Sequence, residues 1–207
     1  MSFEQAVRVP IDRVAAVIGK KGEAKKRLEE ACHVTLQVDW ESGEVIVRSN
    51  SAVEGDPFKA ILVVEAVGRG FSPQRALRLL EPDNMLEVLD LRDFAGKSDN
   101  SLERIRGRII GLNGKSRRVI EELTKCYVSV YGRTVAIIGE VTEAKLAKEA
   151  ITLLASGSRH RSVYNMLQRA RTKRKMDRML LWEDQSPEIG VEKLDIAEKN
   201  DRNEPDD

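Results

Sequence analysis

Short runs in which apolar and polar residues alternate recur along this 207-residue chain, each behind a charged helical pattern. "VTLQV" from Val34 and "EVIVRS" from Glu44 have the period of two expected of half-buried strands. "VSVY" from Val128 and "TVAIIG" from Thr134 repeat the arrangement. "WESG" and "GR" stand between the paired runs and supply turns. Ala6–Pro10 and Met85–Leu91 predict a leading strand for each group. Helical spacing precedes each strand pair, interrupted by two glycines, in "AVIGKKGEAKKRLEEA" and "RGRIIGLNGKSRR". A helix also follows each pair. Asp56 before Pro57 makes one start, with proline at the first helical position. Thr142 is placed to cap the other, with Glu143 in its first turn.

The two groups are copies. Setting Gly19 and Gly22 on Gly111 and Gly114 gives an offset of 92 residues. Ile18 then falls on Ile110, Lys25 on Arg117, Lys26 on Arg118 and Leu28 on Ile120. Each copy reads strand, helix, GxxG, helix, strand, strand, helix, which predicts two similar modules. The expected boundaries are 1–70 and 84–158. Between them, 71–83 opens with Ser72-Pro73 and reads as a packed connecting helix. Its Leu77, Leu79 and Leu80 need an apolar surface, so the modules are expected to touch. Residues 159–182 read as a basic helix whose Leu167, Ala170, Met176, Met179 and Leu180 form an apolar side, and 183–207 as an acidic, disordered tail.

Composition narrows the classes. With 41% hydrophobic and 33% charged residues, the chain suits a soluble protein with two small cores. No apolar stretch reaches membrane-spanning length and the start lacks a secretory pattern, so a cytoplasmic protein without membrane contact is expected. Cys32 and Cys126 make no disulfide framework, and with His33 and His160 they show no metal-ligand spacing. Buried thiols, no metal and no cofactor are expected. The net charge of +1 conceals an asymmetry. Arg159 to Arg178 holds eight Lys/Arg and one acid, while Glu183 to Asp207 holds ten acids and three bases. Such a basic block suggests a polyanion site.

The glycine pairs do not fit nucleotide loops. "GLNGKS" ends in Gly-Lys-Ser but lacks the four-residue spacing, and "GKKGEA" lacks even that ending. Both follow a helical pattern, whereas a dinucleotide loop follows a strand. A glycine pair here joins two helices tightly and exposes the N–H groups of the second, which favours sugar-phosphate links. The candidate contacts are Gly111, Leu112, Asn113, Gly114, Lys115, Arg117 and Arg118, with Gly107, Arg108 and Ile110 beside them. In the first copy they are Gly19, Lys20, Lys21, Gly22, Lys25 and Lys26; Arg171 and Arg174 extend the basic surface. Arg106 is read as an alternative partner of Glu103. Glu29-Glu30 and Glu121-Glu122 read as solvated helix faces, and no His-based or paired-carboxylate centre suggests an enzyme.

Two GxxG loops in one element order resemble the K-homology (KH) module, whose loop clamps single-stranded nucleic acid. The resemblance implies an α+β fold of two type I KH-like domains, each a three-stranded antiparallel sheet packed on helices. Arg106-Gly107-Arg108, Gly111, Gly114-Lys115, Gly139, Ser156-Gly157 and Val163-Tyr164 are similar to archaeal and eukaryotic ribosome-assembly proteins with paired KH domains. That family implies binding of single-stranded ribosomal RNA near the 3′ end of the small-subunit RNA. It also implies contact with the endonuclease that trims that end and with the alpha subunit of initiation factor 2. The intact "GKKG" favours the archaeal branch. The alternative is a protein-interaction scaffold with degenerate RNA sites.

Overall fold

The computed structural model describes residues 3–49, 55–96 and 98–185. Two compact units divide the chain, one reaching Arg171 and the other beginning at Thr172. Both GxxG modules lie in the first.

The first module runs β1 (Phe3–Arg8), α1 (Ile11–Ile18), α2 (Glu23–Cys32), β2 (Thr35–Val38), β3 (Glu44–Ser49) and α3 (Pro57–Gly68). Its sheet has the order β1-β3-β2, antiparallel throughout. Alternation sets the faces: Leu36, Val45 and Val47 are buried, while Thr35, Gln37 and Glu44 are exposed. Asp56 starts α3, its carboxylate accepting the Lys59 N–H at 3.0 Å beside Pro57. That position satisfies one of the orphan donors of a helix start.

A short α4 (Pro73–Ala76) passes into a 3-10 turn, Leu77–Leu80. The second module then runs β4 (Asn84–Asp90), α5 (Arg92–Ala95), α6 (Asp99–Ile110), α7 (Lys115–Thr124), β5 (Tyr127–Tyr131), β6 (Thr134–Glu140) and α8 (Val141–Ala155). Its sheet repeats the first, in the order β4-β6-β5. A long α9 (His160–Gln185) follows.

Strand β6 shows how the modules join. Val135, Ala136, Ile137 and Ile138 are all fully buried, so alternation between core and solvent is lost. Val135 and Ile137 belong to the second module's core with Ile109, Ile120 and Ile151. Ala136 and Ile138, pointing the other way, belong to the first module's core with Val63, Phe71 and Leu79. Leu86, Val88 and Tyr127 pack against that same core. The second sheet is therefore covered on both faces, which is why its central strand reads as a continuous apolar run. Burying a side chain such as Ile138 contributes about 1.5–3 kcal/mol. The expected contact between modules exists, and Leu79 of the connecting segment is at its centre.

Several local expectations change. The connecting helix has a single α turn before tightening, and Ser72 makes no side-chain cap. Thr142 does not cap α8: that helix begins a residue earlier, after Glu140, and the Thr142 hydroxyl instead donates to Glu143. The four-residue α5 had no signal in the pattern. Helix α9 starts at His160. Its Val163 and Leu167 are buried in the second module's core. Met176, Met179 and Leu180 belong to the other compact unit and are about 60% exposed, so the expected apolar side is not continuously packed. The acidic stretch from residue 186 lies outside the described residues.

Arg108 is the largest correction. Its Nε donates to the Leu154 carbonyl at 3.1 Å and its Nη2 to the Ser158 carbonyl at 2.6 Å. The guanidinium fork thus satisfies carbonyls at the C-terminal end of α8, where a cation also suits the helix dipole. Arg13 does the same for α3, donating to the Val67 and Phe71 carbonyls at 3.0 and 2.5 Å. A residue expected to meet RNA is instead a brace between helices.

Candidate nucleic-acid interface

The two glycine corners have the same backbone. Gly19 and Gly111 have φ of 73° and 71° with extended ψ. Lys21 and Asn113 follow at φ 53° and 51°, then Gly22 and Gly114 at 77° and 74°. Each corner is one 3-10 turn, Lys20–Gly22 or Leu112–Gly114, between two helices. Its ends are tied alike: Gly22 donates to the Gly19 carbonyl at 3.3 Å and Gly114 to that of Gly111 at 3.1 Å.

The glycines of a pair do different work. A Cβ on Gly111 would stand 2.7 Å from the Ser116 Cβ and 2.8 Å from its backbone nitrogen. A Cβ on Gly19 would stand 2.7 Å from that of Ala24. The first glycine therefore lets the next helix pack under the corner. A Cβ on Gly22 or Gly114 would meet nothing within 4 Å. The second glycine leaves an open backbone at the start of α2 or α7, and neither helix has a side-chain cap there. Uncapped N–H groups on an open helix start suit an anion such as a phosphate.

At the second corner Lys115 and Arg118 are exposed, and Arg118 Nη2 donates to the Asn113 carbonyl at 2.6 Å, bracing the turn. Leu112 is 84% exposed at the tip. Ile110 is half-buried beside it. Gly107 is exposed with open space where a side chain would be, so packing does not require a glycine there. Arg106 makes no pair with Glu103; its Nε is buried without a hydrogen-bond partner. At the first corner Lys20, Lys21 and Lys26 are exposed, and Lys25 is half-buried, 3.8 Å from Glu29. Lys20 also lines a cleft of about 650 Å³ with Asp12, Glu23, Arg27 and Gln74. Gly19 of the corner lines it too, and Glu23 and Arg27 project into it from the side of α2 opposite to Lys25 and Glu29. Arg171 is exposed at the end of the first compact unit, and Arg174 is half-buried in the second.

Glu29 and Glu121 are not merely solvated. Glu29 Oε1 accepts the Leu36 N–H at 2.8 Å, and Glu121 Oε1 accepts the Val128 N–H at 2.9 Å. Both bonds reach the free edge of the outer strand, β2 or β5, that follows the corner's second helix. Both acids also stand four residues after a cation, Lys25 at 3.8 Å and Arg117 at 4.0 Å. Glu30 and Glu122 are exposed, as expected. The missed signal was a shared spacing of seven residues from acid to strand, present in both copies.

Other chemistry is sparse. Among the described residues there is no group of three His, Cys, Asp or Glu able to hold a metal, and no helix is long and apolar enough to cross a membrane. Both cysteines are buried thiols that form no disulfide. Burial, with Asp56 nearby, pushes the Cys32 thiol up to about 11.

Two three-stranded antiparallel sheets, each with a GxxG corner between the two helices that precede its hairpin, α1 and α2 or α6 and α7, define a paired type I KH protein. A KH domain model matches residues 4–54, and a model described as a eukaryotic type KH-domain (KH-domain type I) matches 85–172. The KH domain-containing protein MJ0443 of Methanocaldococcus jannaschii is 44% identical over 185 residues, 88% of this chain and 80% of that protein. The chain belongs to this family of two-KH-domain proteins. Saccharomyces cerevisiae pre-rRNA-processing protein PNO1 is 28% identical over 172 residues, 81% of this chain and 63% of PNO1. A crystal structure of a complex of the initiation factor alpha subunit (a/eIF2alpha), aDim2p and rRNA from Pyrococcus horikoshii contains a similar chain. It superposes with a TM-score of 0.77 at 44% identity, covering 83% of this chain and 96% of that one.

Proposed function

We propose that this chain binds single-stranded RNA through its KH modules and acts in maturation or assembly of the small ribosomal subunit, near the 3′ end of its RNA. The observation that carries the reading is the open second corner. There Gly114 clears the start of α7, and Lys115 and Arg118 stand exposed beside it. Phosphates of the RNA sit against this corner, while bases lie toward the strand edge. Phosphate contacts fix the strand's position and its salt dependence; base contacts supply the choice of sequence. The protein acts by holding RNA and performs no chemistry on it. Its partners on this reading are the 3′-end endonuclease and the alpha subunit of initiation factor 2, and its place is the cytoplasm. Support for the alpha subunit comes from the Pyrococcus complex, in which a similar chain is crystallised with that protein and rRNA.

The test is titration of a labelled single strand from the small-subunit RNA 3′ end. Wild-type protein binds, and affinity falls as salt rises. Leu112→Asp with Asn113→Asp keeps the corner, because Leu112 is exposed and Asp tolerates the left-handed backbone of Asn113. The pair of acids lowers affinity at least tenfold with an unchanged melting temperature. Replacing Lys115 and Arg118 by Ala flattens the slope of log K against log salt by about 1.4, two single-strand phosphates' worth. Folded wild-type protein that fails to bind at low salt overturns the RNA reading.

A further inference from the structure

Between α7 and β5 of the second module lies a cation that neither KH module supplies. Arg75, on α4 of the connecting segment, places Nη1 3.5 Å from Glu121 Oε1. Its guanidinium also stands 5.0 Å over the ring of Tyr127, and that of Arg78 stands 5.2 Å over the same ring. Glu121 is thereby surrounded. Its Oε1 holds the Val128 N–H, Arg117 approaches its Oε2 at 4.0 Å, and its side chain is only 15% exposed. The corresponding Glu29 in the first module has Lys25 at 3.8 Å as its ion-pair partner among the described residues. The offset of 92 residues relates Lys25 to Arg117 and Glu29 to Glu121, and among the described residues no second cation pairs with Glu29 as Arg75 does with Glu121.

We propose that Arg75 is a positioning residue of the second RNA groove, acting through Glu121. This rests on the RNA reading of that groove. The physical problem is the carboxylate. An acid bonded to the strand edge stands where a polyanion must approach, and Arg117 alone, at 4.0 Å, balances it poorly. Arg75 supplies the second positive charge, held flat by Tyr127 so that it cannot swing away. With both arginines in place, the base of the groove carries net positive charge and the Val128 edge stays ordered. The connecting segment thus completes the second groove, and the two modules differ in RNA affinity although their corners are alike. The second is the stronger site.

A double-mutant cycle on the full chain tests this, using the same labelled single strand. Arg75→Gln keeps length and polarity at this position and removes the charge; Arg75→Ala is its companion. Both weaken binding about tenfold, the scale of an uncompensated like charge at an interface. Glu121→Gln, whose amide oxygen still accepts from Val128, changes binding by no more than about threefold. Arg75→Gln with Glu121→Gln returns to within about threefold of Glu121→Gln alone, because no carboxylate remains to be neutralised. Rescue of this kind separates charge balance from a merely structural role. Wild-type binding with no loss in either Arg75 variant overturns the inference and leaves the RNA reading intact. So does a double variant as weak as Arg75→Gln. Absence of wild-type binding defeats the RNA reading itself.

Discussion

The two glycines of each corner share a positive φ, yet alanine at the two positions has different costs. At Gly114 a methyl group enters open space, so the penalty is only that of an L-residue at φ 74°. That conformation costs roughly 1–2 kcal/mol. At Gly111, φ 71° with ψ 173°, the backbone lies in a region that is essentially glycine-only and costs an L-residue about 1–3 kcal/mol, at least as much as at Gly114, and the methyl also meets the Ser116 Cβ at 2.7 Å and its backbone nitrogen at 2.8 Å. The nitrogen belongs to α7 and cannot rotate aside, so the helix must shift, which adds about 1–3 kcal/mol of overpacking. Gly111→Ala therefore costs about 1–3 kcal/mol more than Gly114→Ala. The gain from a stiffer unfolded chain is common to both and cancels. For a chain of this size each 1 kcal/mol moves the midpoint about 2–4 °C. Thermal unfolding followed by circular dichroism, backed by urea titration, should place Gly111→Ala well below Gly114→Ala. The first copy repeats the experiment, with Gly19→Ala clashing against Ala24 and Gly22→Ala free. Equal losses within either pair would refute the division of labour between the glycines.

Two further outcomes follow from the same coordinates. Arg108→Ala removes two bonds to the end of α8 and should cost about 1.5–3 kcal/mol in urea titration; Arg108→Lys, which lacks the planar fork, should recover little of it, and RNA affinity of the folded variants should stay near wild type. Cys32, whose thiol burial holds neutral up to about 11, should react with a disulfide reagent at pH 8 only as fast as the fold opens. Because its folded value lies above the ordinary 9.0, its contribution to stability is complete below about pH 9 and is lost as pH rises through about 11; Cys32→Ala should flatten that decline.

Most of the fold was legible because the duplication tests every local reading twice. Alternation in "EVIVRS" and the helical spacing around each GxxG gave strands and helices that the structure contains, with ends shifted by a residue or two. Asp56-Pro57 was a reliable start because both signals are local: an acceptor three residues from an orphan N–H, and a residue that needs no donor. Thr142 failed because Glu140 and Val141 already have the backbone to begin α8, a preference the hydroxyl could not outweigh. Arg108 failed for a different reason. Its neighbours Arg106, Lys115 and Arg118 made a cationic run, but its partners are Leu154 and Ser158, whose carbonyls come to it only through tertiary packing. Glu121 was misread in the same way, since an acid on an amphipathic helix looks solvated until the strand edge it serves is in place.

What one copy of a repeat conceals, the contact between copies reveals. "TVAIIG" was expected to alternate like its counterpart, yet it is buried throughout because the first module's α3 and the Phe71–Leu80 segment cover the second sheet's outer face. The same contact lays Arg75 over Tyr127, seats Ser129 Oγ on the Arg69 carbonyl at 3.0 Å, and brings the Tyr131 hydroxyl to Asp12 at 2.5 Å. Tyr127, Ser129 and Tyr131 are alternate residues of β5, the strand that borders the second groove. One face of that strand is therefore set by the first module, while its free edge faces the groove. On the proposed role of Arg75, the second module is an incomplete nucleic-acid site when considered alone: the connecting segment supplies the arginine and the first module covers one face of β5.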